Sequence, residues 1–109
     1  MATPHAGACL PVDLRPQGET LSEHKSHALV KNSAFEALRV VIPKDHEVCH
    51  EHHMEGPITV QCLEGWISFT ADGDKHSLKA GQWTYLPPGV RHTITGVENS
   101  MVLLTIIFP

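Results

Sequence analysis

A chain of 109 residues has room for one domain built around one hydrophobic core. Its 8 basic and 12 acidic residues leave a net charge of −4, which excludes the basic stripe that a nucleic-acid binder needs. With 41% apolar and 18% charged residues the composition is globular, and the longest apolar run, 101–108, interrupted by Thr105, is far short of the roughly 20 residues that span a bilayer.

The first stretch carries Pro4, Gly7, Pro11, Pro16 and Gly18, a density that reads as an arm or loop. It lacks a positively charged start followed by an apolar segment, so no secretory leader is expected. Cys9, Cys49 and Cys62 are odd in number and widely spaced, which does not suggest a disulfide framework. The expected location is therefore the cytoplasm. Residues 21–33 are polar and compatible with either a short helix or an early strand. The expected division is an N-terminal arm over 1–27 and a barrel over 28–109.

From Ala34 onward the pattern is β. Residues 38–42 are a β-branched run closed by Pro43. Residues 46–53 are polar with a two-residue rhythm. Ile58-Thr-Val-Gln-Cys62 alternates apolar and polar, as a half-buried strand does. Gly65 separates it from a strand over 66–70, and Asp72-Gly73 is a hairpin signal because glycine supplies positive φ. Short strands follow over 76–79 and 83–86, with a turn at Ala80-Gly81 and a break at Pro87-Pro88-Gly89. Residues 90–97 alternate again, with Val90, His92, Ile94 and Gly96 on one side. The last strand, 101–108, is apolar on both faces, so its outer face needs a cover. Short strands at this spacing predict an all-β sandwich or barrel.

Nine histidines stand out, and four of them, His46, His50, His52 and His53, fall within eight residues. Histidine is a common metal ligand. The segment Gly81-Gln-Trp-Thr-Tyr-Leu-Pro87-Pro-Gly89-Val-Arg-His92 resembles the second motif of the cupins: Gly, five residues, Pro, one residue, Gly, two residues, His. That motif usually continues through three residues to Asn, where this chain has Gly96. The first cupin motif is His, one residue, His, three or four residues, Glu, six residues, Gly. With Gly65 as its end point, the Glu position falls on Ile58, so that ligand is missing. His50-Glu-His52 supplies the paired histidines. His53 fits the longer usual spacing, with Glu51 then in the partner position. The stretch from His52 through Gly56-Pro-Ile-Thr-Val-Gln61 to Gly65 is also similar to a group of small single-domain bacterial cupins, from about residue 28 to the C-terminus.

This resemblance implies an all-β cupin double-stranded β-helix, a jelly-roll barrel, with an N-terminal arm. It also implies one divalent transition metal (Zn, Fe, Ni, Cu or Mn). Residues two apart on a strand share a face. His50 and His52 can thus point inward with His92, or Glu51 and His53 can; a regular strand permits one register, and a bulge would relax this. The favoured ligands are His50, His52 and His92, with His53 the alternative. Three protein ligands leave a coordination position open, as catalytic metals have. A site using Cys49 is disfavoured because Cys49 alternates away from this set.

The plainer readings stand beside these. A histidine-rich acidic stretch is often a solvated loop, and His46 reads as one. His5, His24, His27 and His76 are expected at the surface. Trp66, Phe69, Trp83 and Tyr85 are expected in the core or at its rim. Cys62 reads as a small buried hydrophobe, and Arg91 should point outward. Three functions remain open: a metalloenzyme, with dioxygenase or isomerase chemistry implied by the resemblance; a non-enzymatic module that binds or senses a small molecule or metal; and a degenerate barrel with an empty site. A small-molecule ligand and a homodimer are the expected partners, without nucleic acid or membrane. The arm folding over the outer face of the last strand is the alternative to dimer formation.

Overall fold

The computed structural model describes residues 9–23, 25–50 and 56–109; for Ser22, Glu23, Cys49 and His50 the description is of the backbone. Nine strands run through these residues: β1 (His27–Lys31), β2 (Phe35–Ile42), β3 (Glu47–His50), β4 (Ile58–Glu64), β5 (Trp66–Ala71), β6 (Asp74–Lys79), β7 (Trp83–Leu86), β8 (His92–Gly96) and β9 (Ser100–Ile107). A 3-10 turn at Gly18–Glu23 precedes them, so the ambiguous stretch after residue 20 holds both a helical turn and a strand. No helix among the described residues is long and apolar enough to cross a membrane.

The strands form two antiparallel sheets, ordered β1-β2-β9-β4-β7 and β3-β8-β5-β6. From β2 to β9 the chain passes repeatedly between them, which makes a jelly roll. Period-two alternation decides what faces the space between the sheets. One sheet contributes Ile58, Val60 and Cys62 from β4 and Val102, Leu104 and Ile106 from β9; the other contributes Ile67 and Phe69 from β5 and Ile94 from β8. Each such side chain taken out of water contributes about 1.5–3 kcal/mol. Cys62 is fully buried, as expected of a small hydrophobe.

Trp83 and Tyr85 depart from the sequence expectation. They are 58% and 50% exposed. β7 is the edge of the five-stranded sheet, and its more buried positions are Thr84 and Leu86. The alternate positions, which carry the two aromatics, are therefore the exposed ones at this edge, and Tyr85 also borders a cavity beside Phe69 and His76.

The N-terminal arm covers another part of that outer face. The Glu64 carboxylate accepts the backbone N–H of Gln17 at 2.6 Å and of Gly18 at 2.9 Å. Arg39 donates to the Asp13 carbonyl oxygen at 2.9 Å. Glu64 pairs with Met101 in the ladder. Met101 holds an outward register position yet is buried, as is Leu21 of the arm.

Two turns set the registers that matter below. At Asp72-Gly73 both φ angles are positive, 53° and 87°, which fits a two-residue hairpin loop. At Gly65, φ is +86°, and an added Cβ would collide with the Asn99 carbonyl oxygen and the Ser100 hydroxyl. That hydroxyl is buried and accepts the Trp66 N–H at 3.0 Å. At Gly73 an added Cβ would meet nothing within 4 Å. Gly73→Ala should therefore carry the backbone cost alone, about 1 kcal/mol. Gly65→Ala should cost at least about 2 kcal/mol more, since Asn99 and Ser100 must move. Urea unfolding of the two variants tests this order, and equal losses would contradict the packing described for Gly65.

Candidate metal centre

His92 opens β8, directly after the Pro87-Pro88-Gly89 break, where Gly89 takes a φ of +79°. β8 buries His92, Ile94 and Gly96 and leaves Thr93 and Thr95 half-buried. His92 is only 2% exposed. Burial pushes its pKa below the ordinary value of 6.5, and the Val90 carbonyl partly offsets that. At neutral pH the imidazole is thus uncharged, the state that binds metal. Its Nδ1 lies 3.4 Å from the Val90 carbonyl oxygen. A carbonyl accepts and does not donate, so this contact favours the proton on Nδ1 and a basic lone pair on Nε2.

The strands on either side of β8 place specific residues beside it. On one side, the β3 backbone sets position 50 opposite His92, and position 48 opposite Ile94. On the other, Ala71 of β5 lies opposite His92. His52, His53 and Glu51 fall outside the described residues, and so does the question of a bulge among them. Among the described residues no group of three or more His, Cys, Asp or Glu could hold a metal. Ile58, at the position where the cupin motif has Glu, is buried in the core. It pairs with Leu86 and Ile106, so its surroundings are apolar.

Gly96 stands where the motif has Asn, and packing accounts for it. A Cβ there would lie 2.6 Å from the Pro43 carbonyl oxygen. The segment before β3 crosses close by: Asp45 N–H donates to the Gly96 carbonyl oxygen at 2.8 Å, and Gly96 N–H donates to the His46 backbone carbonyl oxygen at 3.0 Å.

The remaining histidines lie elsewhere. His46 is exposed in the loop before β3. His27 is half-buried on β1, with a ring nitrogen 3.1 Å from the Arg39 guanidinium. His76 is exposed, as expected, but its ring stacks on Phe69 with centroids 5.1 Å apart. These two rings border a cavity of about 290 Å³ that also reaches Ala71, Leu86, Pro87 and Val90. No functional role for His76 was read from the sequence. The signal was present: a two-residue loop at 72–73 places Phe69 opposite His76.

The cupin domain family model matches residues 37–108. The chain belongs to the cupin family. The chain is also similar to an uncharacterized protein of Aquifex aeolicus, 34% identical over 70 residues. That alignment covers 64% of this chain, which spans 57% of the relative's length. Among solved structures, this cupin is similar to a conserved protein of unknown function from Streptococcus pyogenes. The TM-score is 0.78 at 22% identity, over 100% of this chain and 96% of the other. It is also similar to a cupin superfamily protein from Desulfitobacterium hafniense, with a TM-score of 0.74 at 18% identity, over 92% and 100% of the two chains. At these identities the two structures speak for the fold.

The lowered His92 pKa has a consequence for the metal-free cupin. Between the ordinary value and the lowered one, the unfolded chain binds a proton that the folded chain resists. The stability held above about pH 6.5 should fall as pH drops through the folded value of His92. His92→Asn should lack that segment. Urea unfolding from about pH 7.5 to about pH 5 measures it, and an identical pH slope in the variant would contradict the assignment.

Proposed function

We propose that this cupin holds one divalent transition metal at the inner surface of its four-stranded sheet and acts there on a small molecule. His92, His50 and His52 are the proposed ligands, with His53 the alternative to the pair on the partner strand. The observation that carries this reading is a buried, neutral His92 with backbone position 50 opposite it. The family supports it as well, since cupins often bind a metal. Imidazole ligands suit Zn, Cu, Fe and Ni, and Mn completes the candidate set.

Within this site the chain's own groups have separate roles. His92 offers Nε2, and the Val90 carbonyl orients the ring through Nδ1. Phe69, Leu86 and Val90 line the adjoining cavity and keep it largely apolar. The metal, when bound, supplies Lewis acidity or O₂ activation at an open coordination position. Dioxygenase or isomerase chemistry is the proposed reaction class. Cys9 and Cys62 are free thiols, which accords with a reducing cytoplasm as the proposed location.

Elemental analysis of protein purified without added metal should find about one equivalent of transition metal. His92→Ala should lose most of it while its circular dichroism remains that of a β-sheet protein. Full occupancy in His92→Ala would overturn the ligand assignment, and a metal-free wild type that takes up no added metal would favour the degenerate barrel.

We further propose a homodimer formed through the outer face of the five-stranded sheet, where the arm leaves Trp83, Tyr85 and Ile107 exposed. Two large aromatics on one uncovered edge strand suit the centre of an interface. Sedimentation equilibrium should return twice the chain mass for the wild type, and Trp83→Glu should shift the protein toward monomer. A monomeric wild type would exclude the dimer.

A further inference from the structure

The cavity beside Ala71 differs in its chemistry from a general polar site. It lies between β7 of one sheet and the β5–β6 hairpin of the other, closed at one end by residues 87–90. Ala71 and Val90 connect it to His92: Ala71 lies opposite His92 in the ladder, and the Val90 carbonyl contacts its ring. The hairpin tip is held against the other wall, where Asp72 N–H donates to the Arg91 carbonyl oxygen at 3.3 Å.

The lining defines a ligand class. At about 290 Å³ the space lies at the lower end of small-molecule pockets, which suits a single ring rather than a sugar chain or nucleotide. Phe69, Ala71, Leu86, Pro87 and Val90 make the wall mostly apolar. The exposed His76 ring, held by its stack on Phe69, offers a flat surface at the lip. Among the described residues, no Lys or Arg lines the cavity, and its one carboxylate is Asp72. In the metal-free protein an anionic ligand would meet that carboxylate with no Lys or Arg among the described lining residues to offset it. A neutral hydroxyl can donate to Asp72 or exchange hydrogen bonds with Thr84 or Tyr85, which also line the cavity.

We propose that this cavity binds a small, neutral, single-ring hydroxy compound of the phenol class, delivered to His92 through the seam between β6 and β7. The placement beside a metal rests on the proposed function above; the binding itself does not, because every wall described belongs to the protein.

The test uses the full chain stripped of metal, with phenol and benzoate as matched probes. Both carry one six-membered ring, and benzoate adds the charge. Two-dimensional NMR titration should show phenol shifting the resonances of Phe69, Ala71, His76 and Val90. Benzoate should bind at least about tenfold more weakly. His76→Ala, at an exposed position, should weaken phenol at least about threefold through loss of the flat lip, with an unchanged amide spectrum away from the cavity as the control for folding. Ala71→Leu should weaken it further by filling the cavity. Benzoate binding as tightly as phenol, shifts confined to other residues, or no phenol shifts at all would overturn the proposal. Failure of the metal reading would appear separately, as metal content insensitive to His92→Ala, with phenol binding to the stripped protein untouched.

Discussion

Ile94 and Gly96 must face the opposite sheet. Ile94 is part of the shared core, and Gly96 lies where any side chain would strike the Pro43 carbonyl. In a strand of period two these residues bring His92 to the same face. A slip of one residue would bury Thr93 and Thr95 and send Ile94 to the outer face, losing about 1.5–3 kcal/mol for that side chain alone. The apolar core therefore determines where the imidazole goes. The break at Pro87-Pro88-Gly89 lets β7 end and β8 start in the other sheet, so that His92 is the first residue of its strand and sits at the end of the core.

A buried imidazole needs hydrogen-bond partners to offset lost hydration. The Val90 carbonyl lies 3.4 Å from one ring nitrogen, Nδ1, which favours the proton there. The ladder then aligns position 50 with His92 on one side and Ala71 on the other. One neighbour is a ligand-type residue by sequence, and the other is the small Ala71, which lines the cavity at Phe69 and His76. Ala71 thus lies between His92 and the cavity at Phe69 and His76, while the strand that carries the proposed partner ligand lies on the other flank.

Much of this architecture was legible in the sequence because local rules decide it. Alternation over 58–62 and 92–96 identified inward residues, and Asp72-Gly73 announced its own turn. The spacing from Gly81 to His92 marked the fold family. Other features depended on sheet order, which alternation does not reveal. Trp83 and Tyr85 read as core or rim residues, and only the edge position of β7 shows that they are exposed. The docking of the arm hinges on Glu64, a charged residue whose carboxylate meets two backbone N–H groups 46 and 47 residues away. The replacement of Asn by Gly96 became intelligible only once the crossing chain at Pro43 was in view. The choice between His50/His52 and His53 turns on residues beyond the described β3 backbone, so alternation alone left it open.

The central claim is that imidazoles, His92 among them, hold the metal. X-ray absorption at the metal edge of zinc-loaded protein tests it most directly. The account predicts nitrogen or oxygen neighbours at about 2.0–2.1 Å with the outer scattering of imidazole rings, reduced by one ring in His92→Ala. A sulfur neighbour at about 2.3 Å, or a spectrum unchanged in His92→Ala, would contradict it.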